Sequence, residues 1–249
     1  MKDDATVLAW TDVETTGLNP WTGEELLEIA VLVTDTDLNL LDEEGRTFTV
    51  LAGSPAEVAL LRAKSDPFVQ QMHDRTGLWG RVCDPDEALP LTDIDTALTE
   101  YIRQFAPQRR TARVAGNSVR LDMNFLEANL PRFYDHAHYR VLDVTGLAAS
   151  ARWWGQMEVF KKEGTHTAMA DIRESLAEAR AVKEFWTGHR TRRTSVKGHP
   201  ALPDLVSEPL PWQPATARES RNVRGPGQAA FTINERRDDA RHRHPRRSA

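Results

Sequence analysis

Two acidic residues near the N-terminus have the spacing of a possible metal site. Asp12 and Glu14 stand at the end of the β-prone run formed by residues 7–18. Because side chains alternate along a strand, acids two positions apart point to the same side. Their negative charges repel each other, and a divalent cation such as Mg²⁺ or Mn²⁺ would relieve that repulsion. Taken alone, the pair is equally compatible with an acidic strand end in solvent.

Two further acids and a histidine lie where predicted helices begin. Asp122 is in the first turns of a helix predicted over residues 119–130, and Asp171 is in the first turns of the last predicted helix. Helix N-termini favour negative charge, so each acid also has an explanation without metal. His166 precedes Asp171 by five positions. Its ordinary pKa of about 6.5 suits proton transfer near neutral pH, although a capping or surface histidine is the alternative.

The elements that must position these residues change from strands to alternating strands and helices. Strands are predicted at residues 6–13, 25–41, 46–51, 113–116 and 139–144. Helices are predicted at residues 91–105, 119–130, 145–154 and from 165 or 167 to 186, with shorter helical pieces starting at Pro55 and Pro67. This order predicts an α/β fold with a mixed five-stranded sheet, an antiparallel meander plus parallel strands, flanked by helices.

The charge distribution divides the chain into an acidic body and a basic tail. Residues 1–187 carry 19 Lys and Arg against 31 Asp and Glu, whereas residues 188–249 carry 13 against 6. We predict a folded domain over residues 1–187 and a disordered Pro- and Arg-rich tail over residues 188–249. The tail could contact RNA or an acidic partner, or be a solvated segment. An acidic body argues against a broad surface for gripping long nucleic acids.

Cysteine usage and hydropathy indicate the compartment. Cys83 is the only cysteine, which excludes an internal disulfide framework and suits a reducing cytosol. The first residues lack the basic and apolar regions of a signal peptide. No apolar run approaches the roughly 20 residues of a membrane span. We therefore predict a cytoplasmic protein without a membrane partner.

Taken together, the acids and the histidine resemble the DEDDh family of 3′→5′ exonucleases, which have a ribonuclease H-like fold. The shared pattern is an Asp-x-Glu on the first strand, an Asp on a middle helix and His-x-x-x-x-Asp on a late helix. The resemblance implies two divalent ions, Mg²⁺ or Mn²⁺, held by Asp12, Glu14, Asp122 and Asp171. It also implies that His166 is the general base. Two metals of this kind activate a water and stabilise the leaving oxygen.

The flanking segments resemble one branch of this family, the oligoribonucleases. The similar segments are DVETTGLNP at residues 12–20, AGNSVRLDMNFL at 115–126, HYRVLDVTGLAASARWW at 138–154 and HTAMADIRESLAEAR at 166–180. The resemblance implies hydrolysis of short single-stranded RNA oligonucleotides to 5′-mononucleotides, and a homodimer. Two positions depart from the branch: Thr15 replaces a Met, and Phe68 stands where a Trp is usual.

The resemblance also implies a set of substrate contacts. These are Leu18, Phe68, His73, Ser118, Tyr139, Arg140 and Thr145. Leu18 would wedge between the last bases, the aromatic and histidine side chains would hold the 3′ nucleotide, and Tyr139 would reach the site from a second subunit. The two hydroxyl side chains and Arg140 would cap the 5′-phosphate, which limits the substrate to very short oligomers. The alternatives are core packing for Leu18 and Tyr139, a surface ion pair for Arg140 and an exposed His73.

Two other functions fit parts of the sequence. The Glu-Thr-Thr-Gly sequence at residues 14–17 is commoner in proofreading exonucleases and favours a DNA proofreading or trimming 3′→5′ exonuclease. The other possibility is a catalytically inactive exonuclease fold that serves as an interaction module through its basic tail. The complete set of four acids and His166 favours an enzyme.

Overall fold

A mixed sheet forms the centre of the computed structural model, which describes residues 5–161 and 167–193, with side chains through residue 188. Its strands are β1 Val7–Thr15, β2 Leu26–Asp35, β3 Arg46–Val50, β4 Ala88–Leu89, β5 Ala112–Gly116 and β6 His138–Asp143. The order across the sheet is β4-β3-β2-β1-β5-β6. The first three strands pair antiparallel, whereas β5 runs parallel to β1, β6 to β5 and β4 to β3.

The helices begin where local chemistry favours a helix start. They are α1 Pro55–Lys64, α2 Pro67–Thr76, α3 Leu78–Arg81, α4 Leu91–Arg103, α5 Arg120–Asn129, α6 Pro131–His136, α7 Val144–Gly155 and α8 Ala168–Arg193. A short 3-10 helix, Pro20–Thr22, follows β1. Ser54 and Glu57 form a capping box at the start of α1, and Asp66 caps α2. Proline at the first turn of α1 and α2 matches the predicted starts.

The predicted α/β class and meander are confirmed, but the predicted five strands are corrected to six. The additional strand, β4, has two residues and pairs with β3 at the edge of the sheet. A strand that short leaves no alternating pattern in the sequence. The helix α6 was not predicted either. Pro131 follows the helix predicted over residues 119–130 and stands at the first turn of α6, where its missing N–H costs nothing.

The two faces of β1 serve different purposes. Odd-numbered residues such as Val7 and Ala9 pack in the apolar cluster formed with α4, α5 and α6. Leu8 and Trp10 point to the other side and pack against residues of α8. Asp12 and Glu14 continue this even-numbered series, so strand alternation directs both carboxylates toward α8.

The described residues all belong to one unit of the chain, residues 1–198. Helix α8 continues to Arg193, beyond the predicted helix end at residue 186. Residues 194–249 lie outside the described part, so the predicted basic tail stays a prediction. None of the described helices combines the length and hydrophobicity needed to cross a bilayer.

A buried acid joins α4 to the start of α6. The carboxylate oxygens of Asp95 accept hydrogen bonds from the backbone N–H groups of Arg132 and Phe133, at 3.0 and 2.9 Å. Only 4% of Asp95 is exposed. The first N–H groups of a helix have no partner within the helix, so this carboxylate satisfies donors that would otherwise be buried without an acceptor.

Replacing Asp95 with Ala should therefore lower the free energy of unfolding by about 2–3 kcal/mol, because two backbone donors lose their acceptor. Glu100→Gln, at an exposed position of the same helix, should change it by less than about 0.5 kcal/mol. Urea denaturation followed by circular dichroism measures both variants. Indistinguishable unfolding midpoints for the two would contradict the expected role of Asp95.

Candidate active site

Three carboxylates meet where β1 ends and α8 begins. One oxygen atom from each of Asp12, Glu14 and Asp171 lies within 4.8 Å of the other two. Glu14 is buried, whereas the other two are half-buried and open to one side. The structure thus brings together three of the four acids predicted from the sequence. We call these three residues the carboxylate group.

Packing of α8 against the sheet brings Asp171 to this point. Ile172 and Leu176 of α8 lie in the same apolar cluster as Leu8 and Trp10 of β1. The first turn of the helix is closed by a 3.0 Å hydrogen bond from the Asp171 N–H to the carbonyl of Thr167. Apolar contacts along β1 therefore determine the position of α8 along the strand, so that its first turn lies next to Asp12 and Glu14.

The crowding of negative charge alters the acidity of Glu14. Burial, followed by the charges of Asp12 and Asp171, raises the pKa of this carboxyl from 4.5 to about 8. Glu28 adds to this effect, while the positive charge of Arg81 opposes it. A buried carboxylate among others is stabilised by a proton or a cation. A donor set made only of carboxylate oxygens fits hard divalent ions such as Mg²⁺ or Mn²⁺.

Asp122 lies next to the carboxylate group but is not one of its members. It is in the first turn of α5 and is buried. Burial raises the pKa of its carboxyl well above the usual range, and the charge of Asp12 is the next cause, whereas a hydrogen bond from the Val13 backbone opposes the shift. Asp122 is thus close enough to Asp12 for their charges to interact. The predicted general base, His166, lies outside the described residues.

His73 is buried behind Glu14. Its Nε2–H donates a 2.9 Å hydrogen bond to the carbonyl of Thr15, and its Nδ1 lies 3.9 Å from Oε2 of Glu14. The ring packs edge-on against Trp79, with 5.3 Å between centroids. Burial lowers the pKa of His73. The alternative of an exposed histidine is therefore wrong, while the contact with the 3′ nucleotide stays a prediction.

Two large apolar side chains predicted to bind bases stand at the surface. Leu18 is 76% exposed and Phe68 is 61% exposed. Leu18 borders a cavity of about 540 Å³ that Gly17, Lys64 and Ser65 also line. Leu18 and Tyr139 are both exposed, so core packing is the wrong explanation for them.

Two hydroxyl side chains predicted to cap the 5′-phosphate lie side by side. The N–H of Ser118 donates to Oγ1 of Thr145 at 3.0 Å, and the two hydroxyl oxygens are 3.5 Å apart. Ser118 has a left-handed backbone with φ of 53°. The Arg140 guanidinium lies over the ring of Tyr139, 5.1 Å from its centroid. Asp143 completes the cluster by accepting the N–H of Thr145 at 2.9 Å.

Sequence reasoning missed an ion pair between a buried acid and a partly exposed arginine beside the carboxylate group. Glu28 is 3% exposed, and its Oε2 lies 2.9 Å from Nη1 of Arg81. A charged residue inside the apolar run of β2 is the one signal that could have drawn attention to it. The partner is 53 positions away in the sequence, at the end of α3, and no local pattern connects the two.

Two solved structures share the fold. Exonuclease I from Methylocaldum szegediense matches with a TM-score of 0.50 and 19% identity, over 72% of this chain and 41% of that one. E. coli exonuclease I in complex with a 5cy-dT13 oligonucleotide matches with a TM-score of 0.51 and 15% identity, over 76% and 43%. The chain thus spans less than half the length of either protein. The likeness confirms the predicted ribonuclease H-like fold.

The sequence itself matches a family model and several relatives. The model described as Exonuclease (RNase_T) covers residues 9–179. The probable oligoribonuclease of Schizosaccharomyces pombe is 33% identical over 72% of this chain and 68% of its own length. The oligoribonucleases of Klebsiella pneumoniae and Leifsonia xyli are each 38% identical, over 72% and 69% of this chain and 94% and 79% of their own lengths. The chain therefore belongs to the oligoribonuclease family, within the RNase_T exonucleases.

Proposed function

We propose that the protein is a 3′→5′ exoribonuclease that hydrolyses short single-stranded RNA oligonucleotides to 5′-mononucleotides. The observation that carries this proposal is the carboxylate group, in which acids from β1 and α8 lie within 4.8 Å of one another. The substrate class is supported by relatives named oligoribonucleases, whose similarity extends over 69–72% of the chain. A DNA exonuclease and an inactive interaction module are the alternatives that the experiments below would reveal.

The acids have the properties needed to hold two divalent ions, Mg²⁺ or Mn²⁺. Asp12, Glu14 and Asp171 would supply ligands to one centre, and Asp122, whose carboxyl interacts with Asp12, would supply a further ligand. Asp12 is the shared neighbour, because its charge raises the pKa of both Glu14 and Asp122. When bound, such ions supply a water of lowered pKa and neutralise charge on the phosphate and the leaving 3′-oxygen.

His166 is proposed as the general base. It precedes Ala168, the first residue of α8, by two positions and Asp171 by five. Five residues of chain span at most about 18 Å, a separation that would allow the imidazole to reach the carboxylate group. An imidazole with an ordinary pKa of about 6.5 is neutral at physiological pH and can accept a proton from the attacking water.

The exposed residues around the carboxylate group suit a short substrate. Leu18 and Phe68 offer apolar surface on which bases can stack. We propose that Ser118, Thr145 and Arg140 bind a 5′-phosphate, because the two hydroxyl groups adjoin each other and Arg140 is the cationic side chain among the three. A bound 5′ end limits the length of RNA that fits. The acidic body of the protein, with 31 acids against 19 basic residues over residues 1–187, has little to attract a longer strand.

We further propose a homodimer formed through β6 and α7. β6 is an edge strand of the sheet, and it exposes Tyr139 and Val141. Trp153 and Trp154 of α7 are 75% and 77% exposed. Exposed edges and large apolar side chains favour association with another chain. In such a dimer Tyr139 would contact the substrate held by the second subunit.

The catalytic role of the carboxylate group can be tested with Asp12→Asn. This change removes one negative charge and one ligand, and should cost more than the roughly 10–100-fold that loss of an outer-shell partner costs. The measurement is Mn²⁺-dependent release of mononucleotides from pApA by liquid chromatography. Asp37→Asn, which affects only an exposed ion pair with Lys183, should retain full activity. Undiminished hydrolysis by Asp12→Asn, or a strong preference for a long DNA strand, would refute the proposed function.

The raised pKa of Glu14 predicts how stability depends on pH without metal. Between pH 4.5 and about 8 the folded state keeps a proton that the unfolded chain loses, so this group's contribution to stability falls as the pH rises through that window. Glu14→Gln removes the ionisable group and therefore this loss of stability at higher pH. In EDTA its Tm should exceed that of the wild type by about 2–4 °C at the upper end of the window, and the difference should vanish at the lower end.

Thermal unfolding in EDTA at several pH values measures this effect, with the exposed position Glu87→Gln as the control that should follow the wild type. Added Mn²⁺ should raise the Tm of the wild type much more than that of Glu14→Gln. A pH-independent difference between the two proteins would show that the acidity of Glu14 is not altered by folding.

The proposed dimer can be tested by light scattering after gel filtration. Replacing both Trp153 and Trp154 with Ser should convert the dimer to a monomer, because it removes most of the apolar surface of the face. Hydrolysis of pApA should fall with dimer content if Tyr139 completes the partner's site. Leu60→Ser, at a position on α1 that is 64% exposed, should leave both properties unchanged. A monomeric wild type would rule out this assembly.

A further inference from the structure

A fourth acid shares the side of the sheet that bears the carboxylate group. Glu28 of β2 is the direct cross-strand partner of Glu14 on β1. Directly opposite residues of an antiparallel pair place their side chains on the same face, with Cβ atoms about 5 Å apart. Even so, Glu28 does not belong to the three acids whose oxygen atoms lie within 4.8 Å of one another. A competing interaction therefore directs the Glu28 carboxylate away from these three acids.

Arg81 provides the competing interaction. Its Nη1 lies 2.9 Å from Oε2 of Glu28, and the same oxygen accepts a 3.3 Å hydrogen bond from Oγ1 of Thr49 on β3. Thr49 lies on β3, the neighbour of β2 on the side away from β1, and Arg81 is the last residue of α3. Nε of Arg81 is buried and has no hydrogen-bond partner within the described residues, so the pair with Glu28 is the ion pair that the structure gives this guanidinium.

The acid of this pair is buried, whereas the arginine is partly exposed. Glu28 is 3% exposed, and the side chain of Arg81 is 33% exposed. Removing the cation from such a pair leaves an uncompensated buried carboxylate, which a proton or another cation can neutralise. Next to Glu28 that cation would be the metal bound by Glu14 and its neighbours. With Arg81 present, the pair is neutral and the ligand set excludes Glu28.

We propose that Arg81 is a positioning residue of the metal centre, which holds Glu28 out of the ligand set by binding its carboxylate. The inference rests on the proposed metal centre, and it concerns residues that do not themselves contact the ions. Without Arg81, Glu28 becomes available to the bound ion as an additional, competing ligand. The ion is then bound more tightly but with altered coordination, so affinity rises while turnover falls. A pair that served only to stabilise the fold would alter neither property.

The test is a cycle of Arg81→Met, Glu28→Gln and the double variant. Mn²⁺ affinity is measured by calorimetry on metal-free protein, Tm is measured in EDTA, and kcat is measured at saturating Mn²⁺. Arg81→Met should lower the Mn²⁺ Kd at least about fivefold and lower kcat at least about tenfold. Glu28→Gln should raise the Kd at least about threefold, since a cation then remains without its partner acid. The double variant should return both values to within about twofold of the wild type.

Arg62→Met serves as the matched control, because it breaks an exposed 2.7 Å ion pair with Asp74 that involves none of the site's acids. It should leave the Mn²⁺ Kd unchanged. Equal Kd values across the cycle would overturn the inference, even if Arg81→Met lowers the Tm. If Arg81→Met does not fold, Glu28→Gln and the double variant decide: equal Kd values in these two overturn it. A wild type that does not bind Mn²⁺, or whose binding is insensitive to Asp12→Asn, overturns the proposed centre and this inference together.

Discussion

Electrostatic repulsion among acids is the constraint on which the active end of this fold depends. Asp12, Glu14 and Asp171 lie closer together than free carboxylates would in water, and Asp122 is close enough to interact with Asp12. The apolar contacts between β1 and α8 supply the opposing free energy that holds them there. The core therefore does more than stabilise the chain. It maintains a concentration of negative charge that a divalent cation can neutralise.

The neighbouring residues reduce that repulsion without adding further cations to the pocket itself. Arg81 neutralises Glu28, and the buried ring of His73 fixes the main chain at Thr15, directly after Glu14. Each acts on the strand end from behind, leaving the half-buried sides of Asp12 and Asp171 open to a ligand. The site is thus built in two layers, acids in front and a supporting ion pair and histidine behind them.

Much of this arrangement could be predicted because it depends on short-range periodicity. Alternation along β1 puts Asp12 and Glu14 on one side, and the resemblance to a family supplies Asp171. The two-residue strand β4 has no periodic pattern to detect. The Glu28–Arg81 pair depends on a contact between distant segments, which no local rule encodes. The burial of His73 likewise follows from packing against Trp79 on the next helix, and an isolated sequence pattern does not report packing.

The double use of β1 restricts how this protein can change during evolution. Its odd-numbered side chains fill one core while its even-numbered ones carry the acids, so inserting or deleting one residue before Asp12 would exchange the two sets. Valine would then face the cation and carboxylates would enter hydrocarbon. Homologous chains should accordingly accept substitutions along this strand but keep its length between the first core residue and the acids. Insertions and deletions should instead occur in the turns that follow β1.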